Sequence, residues 1–140
     1  MSSRTLEQWI ALYNKKIPEG FKRNENFSLF YLPDKGFAEI GDTGKMIIIY
    51  QLCGELKFWR GIVEKLSRRL GYKVAGTYFI RPIRPYIRLA GFEIDHIEQT
   101  AQGDRFFCHD KHTNQQGVAS PVGKNIYRIT WEVTANGILF

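Results

Sequence analysis

Cysteine is scarce in this 140-residue sequence: Cys53 and Cys108 are the only two. Neither has a second cysteine at close spacing, which excludes a disulfide framework and zinc-finger spacing. No apolar run approaches membrane-spanning length. The opening Met-Ser-Ser-Arg-Thr-Leu-Glu lacks the basic-then-apolar pattern of a secretory signal. Internal repeats and low-complexity tracts are also missing. Together these absences point to a soluble protein of a reducing, cytoplasmic compartment, with no membrane partner. Histidine occurs three times, and two of the three fall in Cys108-His109-Asp110-Lys111-His112. Adjacent residues on a strand point to opposite faces. The run therefore offers neither a converging ligand pair nor a Cys–His nucleophile pair, and no metal is expected.

What is present is an ordinary globular composition with a basic bias. Hydrophobic residues make up 44% and aromatics 14%, enough for a core and too much for wholesale disorder. Formal net charge is +6 and the sequence pI about 9.4, a balance that attracts polyanions or phosphate-bearing ligands. The length suits one domain spanning residues 1–140.

Periodicity predicts the elements in order. Leu6, Trp9, Ile10, Tyr13 and Ile17 recur at helical spacing behind a Thr5/Gln8 capping box, and Pro18-Glu19-Gly20 ends that helix. Residues 27–32, 37–40 and 45–50 read as three antiparallel strands, separated by Pro33-Asp34-Lys35-Gly36 and Gly41-Asp42-Thr43-Gly44 turns. Residues 51–54 read as a turn. A helix over 55–70 carries Leu56, Trp59, Ile62, Val63, Leu66 and Leu70 on one face, with Gly71 as its left-handed cap. A strand over 72–80 follows, then a short helix over 86–90 with Pro85 before it and Gly91 after it. Strands are expected over 92–100, 105–110 and 127–133, and a loop or loose hairpin over 111–125. The strand–helix–strand unit around the central helix requires a parallel pair. The fold class is therefore α+β, with α/β-like character: a single mixed, mostly antiparallel sheet flanked by helices.

The junction between the third strand and the central helix carries the chemistry. Free backbone N–H groups and the positive end of the helix dipole favour an anion there. Gln51-Leu52-Cys53-Gly54-Glu55-Leu56 resembles the pyrophosphate-binding signature of the GNAT acetyltransferase superfamily: Gln or Arg, two residues, Gly, one residue, then Gly or Ala. Leu56 stands where the family has a small residue. Downstream, Tyr86-Ile87-Arg88-Leu89-Ala90-Gly91-Phe92-Glu93 resembles the family's short fourth helix ending in Gly-Phe. The likeness extends over roughly residues 27–110. It implies a GNAT-like domain in which acetyl-CoA lies along Ile48, Ile49, Tyr50, Gln51, Leu52, Cys53, Gly54, Glu55 and Leu56. The implied reaction is acetyl transfer to an unidentified amine, with Glu39 as candidate base and Tyr86 (or Tyr78) as candidate acid. The family often places its acid where Ile87 stands here. Cys53 beside a helix N-terminus is a candidate for a lowered thiol pKa.

A second constellation is cationic. Arg81, Arg84 and Arg88, with Arg68, Arg69 and Lys73, suit a phosphate, a nucleic acid or an acidic protein. The alternative to an enzyme is thus a non-catalytic GNAT-fold interaction module whose basic face docks on a polyanion or acidic protein. That role would suit a small phage-type or accessory protein.

Overall fold

A computed structural model describes residues 3–80 and 82–134. The chain opens with α1 (Leu6–Lys16), whose N-cap Thr5 and Gln8 exchange the two hydrogen bonds of a capping box at 3.1 and 2.8 Å. Then come β1 (Ser28–Leu32), β2 (Gly36–Asp42), β3 (Ile47–Gly54), α2 (Leu56–Leu70), β4 (Val74–Ile80) and α3 (Ile83–Leu89). The chain closes with β5 (Phe92–Thr100), β6 (Gly103–Asp110), β7 (Gln116–Gly123) and β8 (Ile126–Glu132). All eight strands form one sheet in the order β1-β2-β3-β4-β8-β7-β6-β5. Only β3 and β4, joined through α2, run parallel. The α+β class with a single mixed, mostly antiparallel sheet is therefore the observed one.

Two faces result. Leu56, Trp59 and Val63 of α2 and Ile83 and Ile87 of α3 pack on Ile49, Ala75, Ile129 and Trp131 to form the main core. On the opposite face α1 covers the β1–β3 half, where Trp9 and Tyr13 meet Phe37 and Cys53. The β1–β2 turn is held from both sides. Trp9 Nε1 donates to the Pro33 carbonyl at 3.0 Å, and Trp59 Nε1 to the Lys35 carbonyl at 2.9 Å.

The larger differences from the sequence expectation are three. Residues 51–54 are strand, not turn, because Gly54 pairs with Gly36 at the end of the β2–β3 ladder. Residues 116–123 form β7, a full member of the sheet, where a loop or loose hairpin was expected. The short helix begins at Ile83, so that Pro85 lies inside its first turn, where no N–H is required.

Candidate functional site

A bulge at Tyr50 organises the site. Glu39 pairs with Gln51 and Ile40 with Ile49, so Tyr50 is the extra residue on β3. Such a bulge bends the strand that carries it. The pairing of β3 with β4 ends at the same level: Ile47, Ile48 and Ile49 lie opposite Ala75, Gly76 and Thr77, and no pair follows. Both strands continue, β3 to Gly54 and β4 to Ile80. Beyond Ile49 they are splayed, and among the described residues the edge of β3 that faces β4 has no ladder partner over residues 50–54.

The splay opens toward the N-terminus of α2. Glu55, the N-cap residue, makes no side-chain cap. Its own N–H goes to the Lys35 carbonyl at 3.0 Å, and the first intrahelical bond is Trp59 N–H to the Glu55 carbonyl at 3.2 Å. The N–H groups of Leu56, Lys57 and Phe58 have no partner among the described residues, as expected for a helix start. No acidic side chain sits in the first turn to compete for the dipole. A hollow of about 370 Å³ lies here, lined by Gly54, Glu55, Leu56, Lys57, Arg88 and Leu89. Lys57 and Arg88 are both exposed, so two cations flank the free N–H groups. Leu56 is 7% exposed and belongs to the main core. Its bulk is therefore directed into the protein.

The same two cations border a larger cleft of about 770 Å³ between α2, β5 and the β6–β7 connection. Its floor is a buried polar network. Arg60 Nη1 donates to Asp110 and to the Ala90 carbonyl, both at 2.7 Å; its Nη2 donates to Gln115 at 2.8 Å and its Nε to Glu64 at 3.0 Å. Burial alone would raise the Asp110 carboxyl. The His112 N–H, the Arg60 guanidinium and the Thr113 N–H outweigh it and hold the group below its ordinary value. Every member is paired, so the network shapes the cleft wall rather than presenting a reactive group. Sequence reasoning missed it, because Arg60 and Asp110 are fifty residues apart and no local spacing links them.

The other candidates are distributed as follows. Ile48 and Ile49 are buried at the last paired rungs of β3, and Tyr50, Gln51, Leu52, Cys53 and Gly54 line the splayed segment. The Gln51 side chain is turned toward the α1 face, where its amide donates to the Lys22 carbonyl at 2.7 Å and to Glu39. Gly54 has φ +123, and a Cβ there would lie 2.1 Å from the Lys35 carbonyl oxygen. The fold itself therefore requires this glycine.

Glu39 is fully buried. Its carboxylate accepts from Arg23 at 2.8 Å, from the Asn24 N–H at 2.7 Å and from Gln51. A carboxylate fully buried and so paired anchors the connector after α1. Tyr86 stacks on Phe79 with ring centroids 4.7 Å apart and planes at 5°. Phe79 lies in the splayed part of β4, so Tyr86 borders the opening, on the face opposite Glu39. Tyr78 points to the α1 face and meets Tyr50 edge-on at 6.1 Å.

Burial pushes the Cys53 thiol up, and Lys16 and Arg4 do not reverse it, contrary to the lowered value expected beside a helix start. Burial pushes Cys108 up to about 12.

The cations do not form one patch. Arg84 and Arg88 lie on α3, with Arg84 over the Phe106 ring at 5.3 Å. Arg68, Arg69 and Lys73 sit at the far end of α2, roughly 20 Å from its start at 1.5 Å per residue. Arg81 lies outside the described residues. His109 approaches Asp95 at 2.6 Å on the face opposite Cys108. Among the described residues no three His, Cys, Asp or Glu side chains converge as metal ligands, and no helix is long and apolar enough to cross a membrane.

The sequence matches no family model and no curated protein. The functional reading therefore rests on the residues and their geometry.

Proposed function

We propose that this chain binds acetyl-CoA in the manner of the GNAT superfamily, with the pyrophosphate at the N-terminus of α2, and acts as an acyl-CoA-dependent N-acyltransferase. The observation that carries this reading is the loss of β3–β4 pairing beyond Ile49 and Thr77, directly before an uncapped helix start flanked by Lys57 and Arg88. Phosphates would accept from the N–H groups of Leu56, Lys57 and Phe58 and pair with the two cations. The pantetheine arm would add hydrogen bonds to the free edge of β3, as an extended ligand does to an open strand.

In the transfer step the neutral amine attacks the thioester carbonyl, the C–N bond forms and the C–S bond breaks. The coenzyme sulfur leaves as thiolate and takes a proton, while the amine nitrogen loses one. Tyr86, beside the opening, is the residue assigned to the thiolate proton. Glu39 is assigned a positioning role, holding Gln51 and the connector after α1; water removes the amine proton. Calorimetric titration with acetyl-CoA and with CoA tests the reading. Binding should weaken at least tenfold in Lys57→Glu and in Arg88→Glu, and no heat at millimolar coenzyme would remove the assignment.

A second reading is favoured by the pairing of Glu39: the scaffold is a non-catalytic interaction module. It predicts coenzyme binding without turnover, or neither. Release of free thiol from acetyl-CoA in the presence of a panel of amines separates the two.

A further inference from the structure

Half of one face of the sheet carries no helix among the described residues. On β4–β8 the side chains alternate strictly: Tyr127, Ile129 and Trp131 go to the core, while Arg128 and Thr130 face away from it. α1 covers the outward face over the β1–β3 half, and among the described residues no helix packs on the outward face of β4–β8. Two cross-strand rows run over it. One reads Tyr78, Arg128 and Ser120 on β4, β8 and β7. The other reads Thr130, Val118, Phe107 and His96 on β8, β7, β6 and β5.

The chemistry of the rows is specific. Tyr50, 41% exposed, meets Tyr78 edge-on and so extends the first row past the splay. His96 stacks on Phe107 at 4.4 Å and 22°, and Arg105 lies over the same ring at 5.3 Å. Arg128, between Tyr78 and Ser120, has no ion-pair or hydrogen-bond partner among the described residues. Four acids lie nearby and each is engaged: Glu98 with Arg105 at 3.6 Å, Asp95 with His109 at 2.6 Å, Glu93 with Lys111 at 3.3 Å, and Glu132 with the Gln116 N–H at 2.9 Å. The face therefore combines flat aromatic rings with a central guanidinium that is unpaired among the described residues, on a chain whose overall net charge is +6.

We infer that the outward face of β4–β8 binds single-stranded nucleic acid, with bases on Tyr50, Tyr78 and His96 and phosphates on Arg128. Rings on an open sheet give sequence-tolerant stacking, and an arginine between them neutralises the backbone. An acidic protein would use the cations but gain little from the rings. A duplex keeps its bases stacked inside and cannot reach them. This surface lies on the other side of the sheet from the α2 hollow, and it shares only Tyr50 and Tyr78, beside the splay, with the proposed coenzyme path.

Fluorescence anisotropy of a labelled oligothymidine of ~15 nucleotides, at about 50 mM salt, tests the inference. Binding is expected, weakening steeply as salt rises to about 200 mM. Tyr78→Ser, Arg128→Glu and Ser120→Glu should each lower affinity about tenfold or more. Arg88→Glu, on the opposite face, should leave it within about twofold. Ser120 is a partly exposed position on β7, so Ser120→Glu reads the face without disturbing the core. No binding at low salt would overturn the inference. So would equal affinity for duplex of the same length or for polyglutamate, or a loss on Arg88→Glu matching that on Arg128→Glu.

Discussion

Gly54 shows how a motif residue can have two masters. It matches the glycine of a phosphate-binding signature, yet its positive φ and the 2.1 Å approach that a Cβ would make to the Lys35 carbonyl tie it first to the fold. Gly54→Ala is expected to cost about 2 kcal/mol or more, read as a lower urea midpoint with unchanged slope. Coenzyme affinity in that variant therefore reports on folding as much as on the site, which is why Lys57 and Arg88 are the better probes. The cysteines give a second prediction. With both thiols buried and pushed up by burial, Cys53 and Cys108 should react with a thiol reagent only after unfolding. Asp110 gives a third. Its folded-state pKa lies below the unfolded one, so the stabilisation is present above about pH 4 and is lost as pH falls through the folded value. Asp110→Asn should cost about 3 kcal/mol near neutral pH and flatten the acid limb of the stability profile, because it leaves Arg60 buried without its carboxylate partner.

At the level of elements, what the residues revealed followed their periodicity. α1, α2 and β8 each carry a regular apolar spacing, and α1 also shows its cap in the sequence. β7 was hidden because Gly117, Pro121 and Gly123 read as loop residues. Gly117 instead sits where a Cβ would crowd Cys108 Sγ at 3.2 Å, and Pro121 sits at a bulge, where a ladder N–H is not required. The continuation of β3 through residues 51–54 was hidden for a related reason: Gly54 signals a turn, but here it permits close strand approach. The α2 hollow was legible from the strand–glycine–helix order, whereas Arg88 could be placed beside it only by the packing of α3. Glu39 is a further element-scale device, tying β2, β3 and the connector after α1 into one unit. Glu39→Ala is expected to destabilise the protein by about 3 kcal/mol and to raise amide exchange over residues 22–26. A loss of turnover with stability and exchange unchanged would instead give Glu39 a chemical role.

Across the whole molecule, the sheet divides the work between its faces. One face carries α2, α3 and the hollow at the helix start; the other carries α1 over half its width, with no helix over the β4–β8 half among the described residues. The splay beside Tyr50 lies where the α1-covered half meets the open half and where β3 leads into α2. The proposed function requires that opening to hold the coenzyme. At 16.3 kDa the chain suits residue-resolved NMR, and a titration of its backbone amides with CoA is the most direct measurement. The prediction is saturable shifts at residues 50–58, 78–80 and 88, with β6 and β7 unchanged. Shifts absent at millimolar CoA, or confined to residues outside the splay and the start of α2, would contradict it.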